Sequence, residues 1–226
     1  RAMRTKRLIR EIKQSQLRQA RRKTQFMFGV QIPKTYQEAI ALDERNGNTK
    51  WQDATKLELS QHDEYKTFND VGEAKFGNGR KLLNAPSGYK QIRVHKVYAV
   101  KHDLRHKARL VAGGHLTGEP VESVYSSVVS LRSIRLTTLL AELNQLELWG
   151  ADVGNAYLEA DTKEKVFIIA GKEFGDRAGH ILIIKKALYG LKTSGKRYHE
   201  KFSGCMHQLG FKQYKADRDV WMRPTK

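Results

Sequence analysis

Asp152 has surroundings that suit a reactive carboxylate better than those of any other acidic residue in this sequence. It lies in a predicted strand, Leu146–Val153, and the small residues Gly154–Ala156 lead from it to Tyr157. A strand fixes a carboxylate, small residues let backbone amides approach phosphate oxygens, and an aromatic ring closes a sugar-sized space. The pattern is typical of a metal-dependent phosphoryl-transfer site. An aspartate that only ends a strand as a turn former has the same pattern.

Two cations two residues apart are the second candidate site. Lys107 and Arg109 lie in the alternating run Lys107–Val111, and the two-residue period of a strand places both side chains on one face. This face either binds a ligand or is the solvated face of an edge hairpin. Flanking histidines have no cysteine or acidic partner at ligand spacing, so they predict no metal site: His95, His102, His106 and His115.

The net charge predicts the partner. Of 226 residues, 42 are Lys or Arg and 24 are Asp or Glu, which gives a formal charge of +18 and a pI near 10.0. A polyanion relieves the self-repulsion at that charge, so we expect nucleic-acid binding with strong salt dependence. No apolar run reaches the roughly 18 residues that would span a bilayer. The single cysteine, Cys205, excludes an internal disulfide, and we interpret it as a small core residue.

Residues 1–28 are interpreted as a basic arm or linker. From Arg1 to Lys23 the only acidic residue is Glu11, and the apolar residues are too few to pack. The segment is either a nonspecific phosphate-binding arm or a solvated linker from a neighbouring domain. Because the sequence starts at Arg1 and has no signal-peptide apolar region, we expect an intracellular protein cut from a longer one.

Periodicity predicts three helices to position these residues. They run from Trp51 to about Tyr65, from Ser130 to Leu143, and from about Tyr198 to Leu209, where Gly210 provides a cap. The second helix is apolar nearly all round, which predicts that it is buried. We interpret the tryptophans as packing residues rather than base-stacking platforms: Trp51, Trp149 and Trp221.

Alternating and short continuous runs of apolar residues predict the strands. Besides Leu146–Val153, they form a hairpin of Ile92–Val100 and Lys107–Val111 with a turn at Asp103, a pair over Val166–Ile169 and Ile181–Ile184, and a last strand over Tyr214–Met222 that starts a hairpin. Strands and helices alternate without a regular βαβ period. The sequence therefore favours an α+β fold.

Four motifs occur in a fixed order along the chain. They are Lys107–Ala112, Tyr125–Arg135, Asp152–Leu158 and Ala187–Lys192. Their order and spacing resemble those of copia-type (Ty1/copia) retrotransposon reverse transcriptases. The resemblance extends over residues 29–222, with further matches at Trp51, Ala54, Glu58, Leu209–Phe211 and Asp217.

The resemblance implies a right-hand polymerase fold of the α+β class. Residues 1–28 would be the basic arm, 29–145 a fingers-like region, and 146–226 the N-terminal half of the palm. The implied function is RNA-directed DNA polymerisation from dNTPs on an RNA or DNA primer–template, with two Mg²⁺ ions and no membrane. The implied location is a retroelement particle, the cytoplasm or the nucleus.

The same resemblance implies roles for individual residues. Asp152 resembles the first catalytic aspartate, which binds both Mg²⁺ ions, and Val153 resembles a residue whose backbone carbonyl reaches one of them. Tyr157 resembles the steric gate that excludes a ribose 2′-hydroxyl. Lys107 and Arg109 resemble the cations that clamp the triphosphate. The residues that resemble those beneath the triphosphate are Gly154, Asn155 and Ala156. The residues that resemble those covering the sugar and base are Tyr189 and Gly190.

The sequence departs from the family pattern at the site itself. In the family, a Tyr-x-Asp-Asp turn supplies the other metal-binding aspartates, and this turn does not occur in the 226 residues. Gly113, Lys196 and Tyr198 also replace residues common among relatives. We therefore expect a chain truncated before that turn and inactive alone. Two alternatives stay open: a non-catalytic nucleic-acid-binding remnant, and a basic assembly protein that dNTPs would not stabilise.

Overall fold

The computed structural model describes residues 24–78, 82–119 and 123–224. Most of the predicted basic arm, residues 1–23, lies outside them. Two compact units divide the chain. The first comprises Arg1–Glu58 and Lys96–Arg109, and the second comprises Leu59–His95 and Leu110–Lys226. These boundaries differ from the predicted division between 145 and 146, and the assignment to fingers and palm stays a prediction.

The described residues form four helices and ten short strands. In chain order they are β1 (Gln25–Met27), β2 (Val30–Ile32), α1 (Tyr36–Arg45), α2 (Lys50–Glu64), β3 (Phe68–Glu73), β4 (Lys90–Gln91), β5 (Val94–Val100), β6 (His106–Ala112), α3 (Leu131–Leu143), β7 (Val166–Ile169), β8 (His180–Ile184), α4 (Ser194–Gln208), β9 (Lys212–Gln213) and β10 (Trp221–Met222). The mixture of separate helices and mainly antiparallel strands is consistent with the predicted α+β class.

The first unit contains a helix, α1, that the sequence reading missed. Thr35 caps it by accepting a hydrogen bond from the Glu38 amide at 3.1 Å, and the Glu38 carboxylate accepts one from the Lys34 amide at 2.9 Å. This reciprocal pairing is a form of the capping box, and its Thr-x-x-Glu signature is readable in the sequence. The fully buried Asp43 then accepts hydrogen bonds from the first-turn amides of α2. Trp51 is buried, as predicted.

The predicted β5–β6 hairpin is confirmed. Asp103 closes its turn by accepting hydrogen bonds from the Arg105 amide and guanidinium at 3.1 and 2.6 Å. Along β6, Ala108, Leu110 and Ala112 are buried, while Lys107 is half-buried and Arg109 is exposed. The two cations therefore occupy the face of β6 opposite the buried residues, as the two-residue period predicted.

The second unit is built on a four-stranded sheet with the order β3-β8-β7-β4. The predicted strand pair is confirmed as antiparallel β7 and β8, with Phe167 opposite Ile183. Both faces of this pair are buried: Ile168 and Leu182 belong to one apolar cluster, and Phe167 and Ile181 to another. Such runs of consecutive apolar residues are expected in strands that are covered on both sides.

Helices α3 and α4 are confirmed, but the predicted burial of α3 is wrong. Ala141 is the only buried residue of α3, while its leucines are exposed. The predicted strand over Leu146–Val153 is also wrong, because none of the described strands lies beside it to pair with its backbone groups. Trp149 in this segment is 88% exposed, so it is not a packing residue.

Two predictions near the C-terminus also need correction. Cys205 is exposed rather than part of the core, because α4 buries only Ser194 and Arg197 against its own unit. Of the predicted strand over Tyr214–Met222, only Trp221–Met222 is a strand, β10; it forms a hairpin with β9, and the residues between the two strands form a turn. Asp217 accepts a hydrogen bond from the Asp219 amide at 3.1 Å, and this local bond favours a turn over an extended chain.

Candidate functional site

The predicted site residues fall into both compact units. Lys107 and Arg109 belong to the first unit, and all the others belong to the second. Within the second unit they form two segments. One is Asp152–Tyr157, and the other is the turn at Tyr189 and Gly190.

The segment that carries Asp152 turns sharply before Tyr157. Asp152, Val153 and Gly154 are exposed and have no regular structure, and Asn155 adopts a left-handed conformation with φ of 51°. A 3₁₀ turn over Ala156–Glu159 follows, and the buried Leu158 anchors it in the core. The predicted small-residue turn is therefore present. It places the Tyr157 ring in a fixed position next to a solvent-exposed carboxylate segment.

Aromatic rings converge on Tyr157. Its ring centroid lies 4.6 Å from that of Tyr189 and 6.2 Å from that of Tyr198. Phe202 and Trp221 extend the row, with successive centroids 6.1 and 6.4 Å apart. We call these five residues the aromatic row. The contact between Tyr157 and Tyr189 joins two motifs that are distant in the sequence and presents half-buried rings on which a sugar or a base can pack.

The turn at Tyr189 and Gly190 is held against the end of β6. The Ala112 amide donates a hydrogen bond to the Tyr189 carbonyl at 2.7 Å, and Gly190 has a φ of +90°. A Cβ atom at position 190 would overlap the Ala112 carbonyl oxygen and lie 2.8 Å from Cγ1 of Val111. Only glycine fits there. The close contact of this turn with β6 therefore fixes the backbone from which the Tyr189 side chain extends.

Two carboxylates act on the hydroxyl groups in this region. Burial, followed by the charges of Glu159, Asp152 and Cys205, raises the pKa of the Tyr198 hydroxyl. Burial and the neighbouring Glu159 likewise raise the pKa of Tyr65. The Asp152 carboxylate is therefore close enough to act electrostatically on the aromatic row.

The carboxylates do not by themselves make a metal site. Among the residues that the structure describes, no three His, Cys, Asp or Glu side chains are grouped so that they can hold a metal ion. The resemblance to reverse transcriptases implies two adjacent metal ions, and two adjacent cations need several carboxylates. The described donor set does not fit a complete two-metal site, and Asp152 is the only predicted carboxylate ligand in it.

A concavity of about 580 Å³ in the same unit was not predicted from the sequence. It lies between the segment that precedes α3, helix α4 and the β9–β10 turn. In it, Nε2 of His199 lies 3.3 Å from the Ser127 hydroxyl and 2.8 Å from Oδ1 of Asp219. Both partners meet the same ring nitrogen, so these three residues do not form a relay of the Ser-His-Asp type.

Asp217, beside this concavity, joins the β9–β10 turn to the start of α3. Its carboxylate accepts hydrogen bonds from the Ser133 hydroxyl at 2.6 Å and from the Ser130 amide at 3.0 Å. These two bonds, with a third from the Asp219 amide, hold the pKa of Asp217 well below its ordinary value. Ser130 is also the N-cap of α3, so the carboxylate lies at the positive end of that helix.

Asp217 is expected to contribute to acid sensitivity. Its pKa is lower in the folded than in the unfolded chain, so its contribution is complete above the unfolded value and is lost as the pH falls below about 4. Asp217→Asn should lower the melting temperature at pH 7 and reduce its decline between pH 5 and 3, as measured by circular dichroism. Asp176→Asn, which removes another exposed carboxylate, is the control. If the melting temperatures of the two variants depend on pH in the same way, the assignment is wrong.

Comparison with known proteins adds to this geometry. The family described as reverse transcriptase (RNA-dependent DNA polymerase) matches residues 78–225. The retrovirus-related Pol polyprotein from transposon TNT 1-94 of Nicotiana tabacum is 29% identical over 168 residues, which cover 70% of this chain and 13% of that protein. The transposon Ty1-DR4 Gag-Pol polyprotein of Saccharomyces cerevisiae is 30% identical over 123 residues, which cover 53% of this chain and 8% of that protein.

No solved structure matches the chain. Among the described helices, none has the length and apolar character needed to cross a membrane.

Proposed function

Because the chain belongs to the reverse transcriptase (RNA-dependent DNA polymerase) family of copia-type retroelements, we propose that it forms the fingers and the N-terminal half of the palm of a polymerase that adds dNTPs to a primer–template. The observation that carries the proposal is the contact between Tyr157 and Tyr189 beside the Asp152 segment. Two motifs distant in sequence meet at the point where a nucleotide sugar would bind. The glycine at 190 fixes one of them.

In this proposal, residues 29–145 are the fingers and 146–226 are the palm. Asp152 supplies one carboxylate to a Mg²⁺ site, and the backbone carbonyl of Val153 supplies another oxygen. The exposed backbone of Gly154, with Asn155 and Ala156, lies beneath the triphosphate. The described residues place no group of carboxylates around Asp152, and Asp152 alone does not support the two-metal reaction.

Lys107 and Arg109 are proposed to clamp the triphosphate. Both lie on the face of β6 that is not buried, where cationic side chains are accessible to phosphate oxygens. An arginine and a lysine on one face combine a planar, bidentate donor with a point charge, which suits a polyphosphate. With a net charge of +18, the chain has ample further cations for a nucleic-acid backbone.

Template-directed incorporation is the experiment that tests this function. Nucleic-acid binding alone does not separate a polymerase from a non-catalytic remnant, because both are expected to bind polyanions. We therefore choose a chimera in which the 226 residues are followed by the downstream part of the tobacco polyprotein. Incorporation of the templated dNTP by this chimera supports the proposal. Binding without incorporation, in a folded chimera, favours the remnant.

The 226-residue chain itself is expected to bind single-stranded RNA and DNA with a steep salt dependence. If three to four phosphates are neutralised, affinity should fall about 20- to 50-fold between 50 and 200 mM salt, because bound counterions are released. Fluorescence anisotropy with a labelled oligonucleotide measures this fall. An affinity that stays constant over the range would exclude phosphate-dominated binding.

A pair of matched variants tests the role of the β6 face in that binding. The double variant Lys107→Gln/Arg109→Gln should lower the salt slope more than Lys212→Gln/Lys215→Gln, which removes the same charge from the β9–β10 hairpin. Equal slopes for the two double variants would show that the β6 cations have no special role in binding nucleic acid.

A further inference from the structure

A bulge in the chain that leads into β7 places Glu164 beside helix α4. Asp161 forms a bridge with Lys186. Further along the same two chains, Phe167 pairs with Ile183. Five residues separate the two pairs on the chain that contains Glu164, and only two separate them on the other chain. The extra residues are left out of the ladder, and a bulge of this kind redirects a side chain.

The Glu164 carboxylate binds the residue at which α4 begins. Its Oε1 accepts hydrogen bonds from the Thr193 hydroxyl at 2.7 Å and from the Thr193 amide at 3.2 Å. Thr193 is the N-cap of α4 and is 4% exposed, but its own side chain makes no capping bond within the helix. The first turn of α4 also has no acidic residue. Glu164, 29 positions away along the chain, therefore supplies the acceptor and the negative charge that the start of a helix favours.

The first turn of α4 contacts both sides of the pair formed by Tyr157 and Tyr189. The Ser194 hydroxyl donates a hydrogen bond to the Leu188 carbonyl at 2.6 Å, one residue before Tyr189. On the other side, a Cβ atom at Gly195 would lie 3.8 Å from the Tyr157 hydroxyl, so the helix backbone passes next to the end of that ring. Ser194 is 2% exposed, and such close packing transmits a displacement of the helix to both tyrosines.

We propose that Glu164 is a positioning residue that helps to set the choice of sugar in the polymerase. It acts through α4 and not by contact with the nucleotide. By holding the start of α4, it keeps the Tyr157 and Tyr189 rings at a fixed separation. The inference rests on the proposed function, in which these two rings bound the space for the nucleotide sugar. Loss of the Glu164 contact loosens this support, and a small displacement of a positioned group changes discrimination.

Hydrogen exchange of the 226-residue chain tests whether Glu164 holds α4. In Glu164→Ala, the amides of residues 193–198 should exchange about three- to tenfold faster, while those of β8 should not change. Thr193→Val removes the other partner of the shorter bond and should have a smaller effect in the same direction. The control Glu173→Ala removes another half-buried glutamate of the same unit and should leave these amides unchanged. Unchanged exchange in both Glu164→Ala and Thr193→Val overturns the proposal.

The chimera measures the choice of sugar. Glu164→Ala should raise the ratio of rNTP to dNTP kcat/KM about three- to tenfold, a modest gain because the Tyr157 ring itself is kept. Glu164→Gln keeps an oxygen that can accept from Thr193 and should keep most of the parent's ratio. A change that only destabilises the fold lowers the use of both nucleotides alike and leaves the ratio unchanged.

The two measurements separate this proposal from the proposed function. An unchanged ratio in Glu164→Ala, together with faster exchange at the start of α4, overturns the role of Glu164 in the choice of sugar. If the unmodified chimera incorporates neither nucleotide, the proposed function fails and the role in the choice of sugar fails with it. Hydrogen exchange still decides in that case whether Glu164 holds α4.

Discussion

Asp152→Asn is expected to reduce template-directed dNTP incorporation by the chimera on the order of 1,000-fold or more, the size of loss seen when a central catalytic group is removed. Asparagine keeps the size of the side chain but has no negative charge to balance the positive charge of a divalent cation. The measurement is single-nucleotide primer extension in Mg²⁺, with the concentration of folded protein equalised. The 226-residue chain without the added segment should show no extension in Mg²⁺ or Mn²⁺.

The control for this substitution is Asp161→Asn, which removes a carboxylate that follows the 3₁₀ turn after this segment. Asp161 pairs with Lys186 at 2.9 Å and is 80% exposed, so its loss should leave incorporation nearly unchanged. Equal activity of Asp152→Asn and Asp161→Asn would remove Asp152 from the site. Efficient extension by the 226-residue chain alone would show that its described carboxylates suffice.

Tyr157→Val is expected to change the choice of sugar. If the Tyr157 ring fills the volume of a ribose 2′-hydroxyl, removing it should raise the ratio of rNTP to dNTP kcat/KM about 10- to 100-fold, or about 1.4 to 3 kcal/mol of discrimination. The ring is well placed for this role, since Tyr189 supports it at a centroid distance of 4.6 Å. Incorporation of both nucleotides by the chimera on one template measures the ratio.

Two matched variants distinguish a steric gate from a packing residue. Tyr157→Phe keeps the ring and should keep the ratio. Tyr198→Val loosens the same aromatic row without opening the proposed sugar space. If Tyr157 only packs, its truncation creates a cavity that costs roughly 3 to 5 kcal/mol of stability and lowers the use of both nucleotides alike. An unchanged ratio in Tyr157→Val would therefore assign Tyr157 to packing.

Local signals in the sequence predicted secondary-structure elements more accurately than they predicted which residues are buried. The apolar runs of β7 and β8 and the Ser130 cap of α3 specify structure within a few residues, and each element is present. The burial of α3 and the strand over Leu146–Val153 depended on a neighbouring surface, which the described residues do not supply. Helix α1 was missed although its capping residues, Thr35 and Glu38, were readable.

In the candidate site too, residues within motifs were predicted and contacts between distant elements were not. The resemblance identified Asp152, Tyr157 and Tyr189 by motif, and Tyr157 and Tyr189 are in contact. Their metal and nucleotide roles stay predictions. Tyr198 was noted only as a departure from relatives, yet it lies 6.2 Å from Tyr157. The contact of His199 with Asp219 was missed altogether, because a pairing between a helix and a later turn leaves no periodic pattern in the sequence.

The bond between Asp217 and Ser133 has a consequence during synthesis on the ribosome. The two residues are 84 positions apart, and chains grow at about 5–20 residues per second, so the start of α3 waits roughly 4 to 17 seconds for its carboxylate. During that interval Ser130 and Ser133 are already made, so the start of α3 has its N-cap but lacks the carboxylate that ties it to the β9–β10 turn.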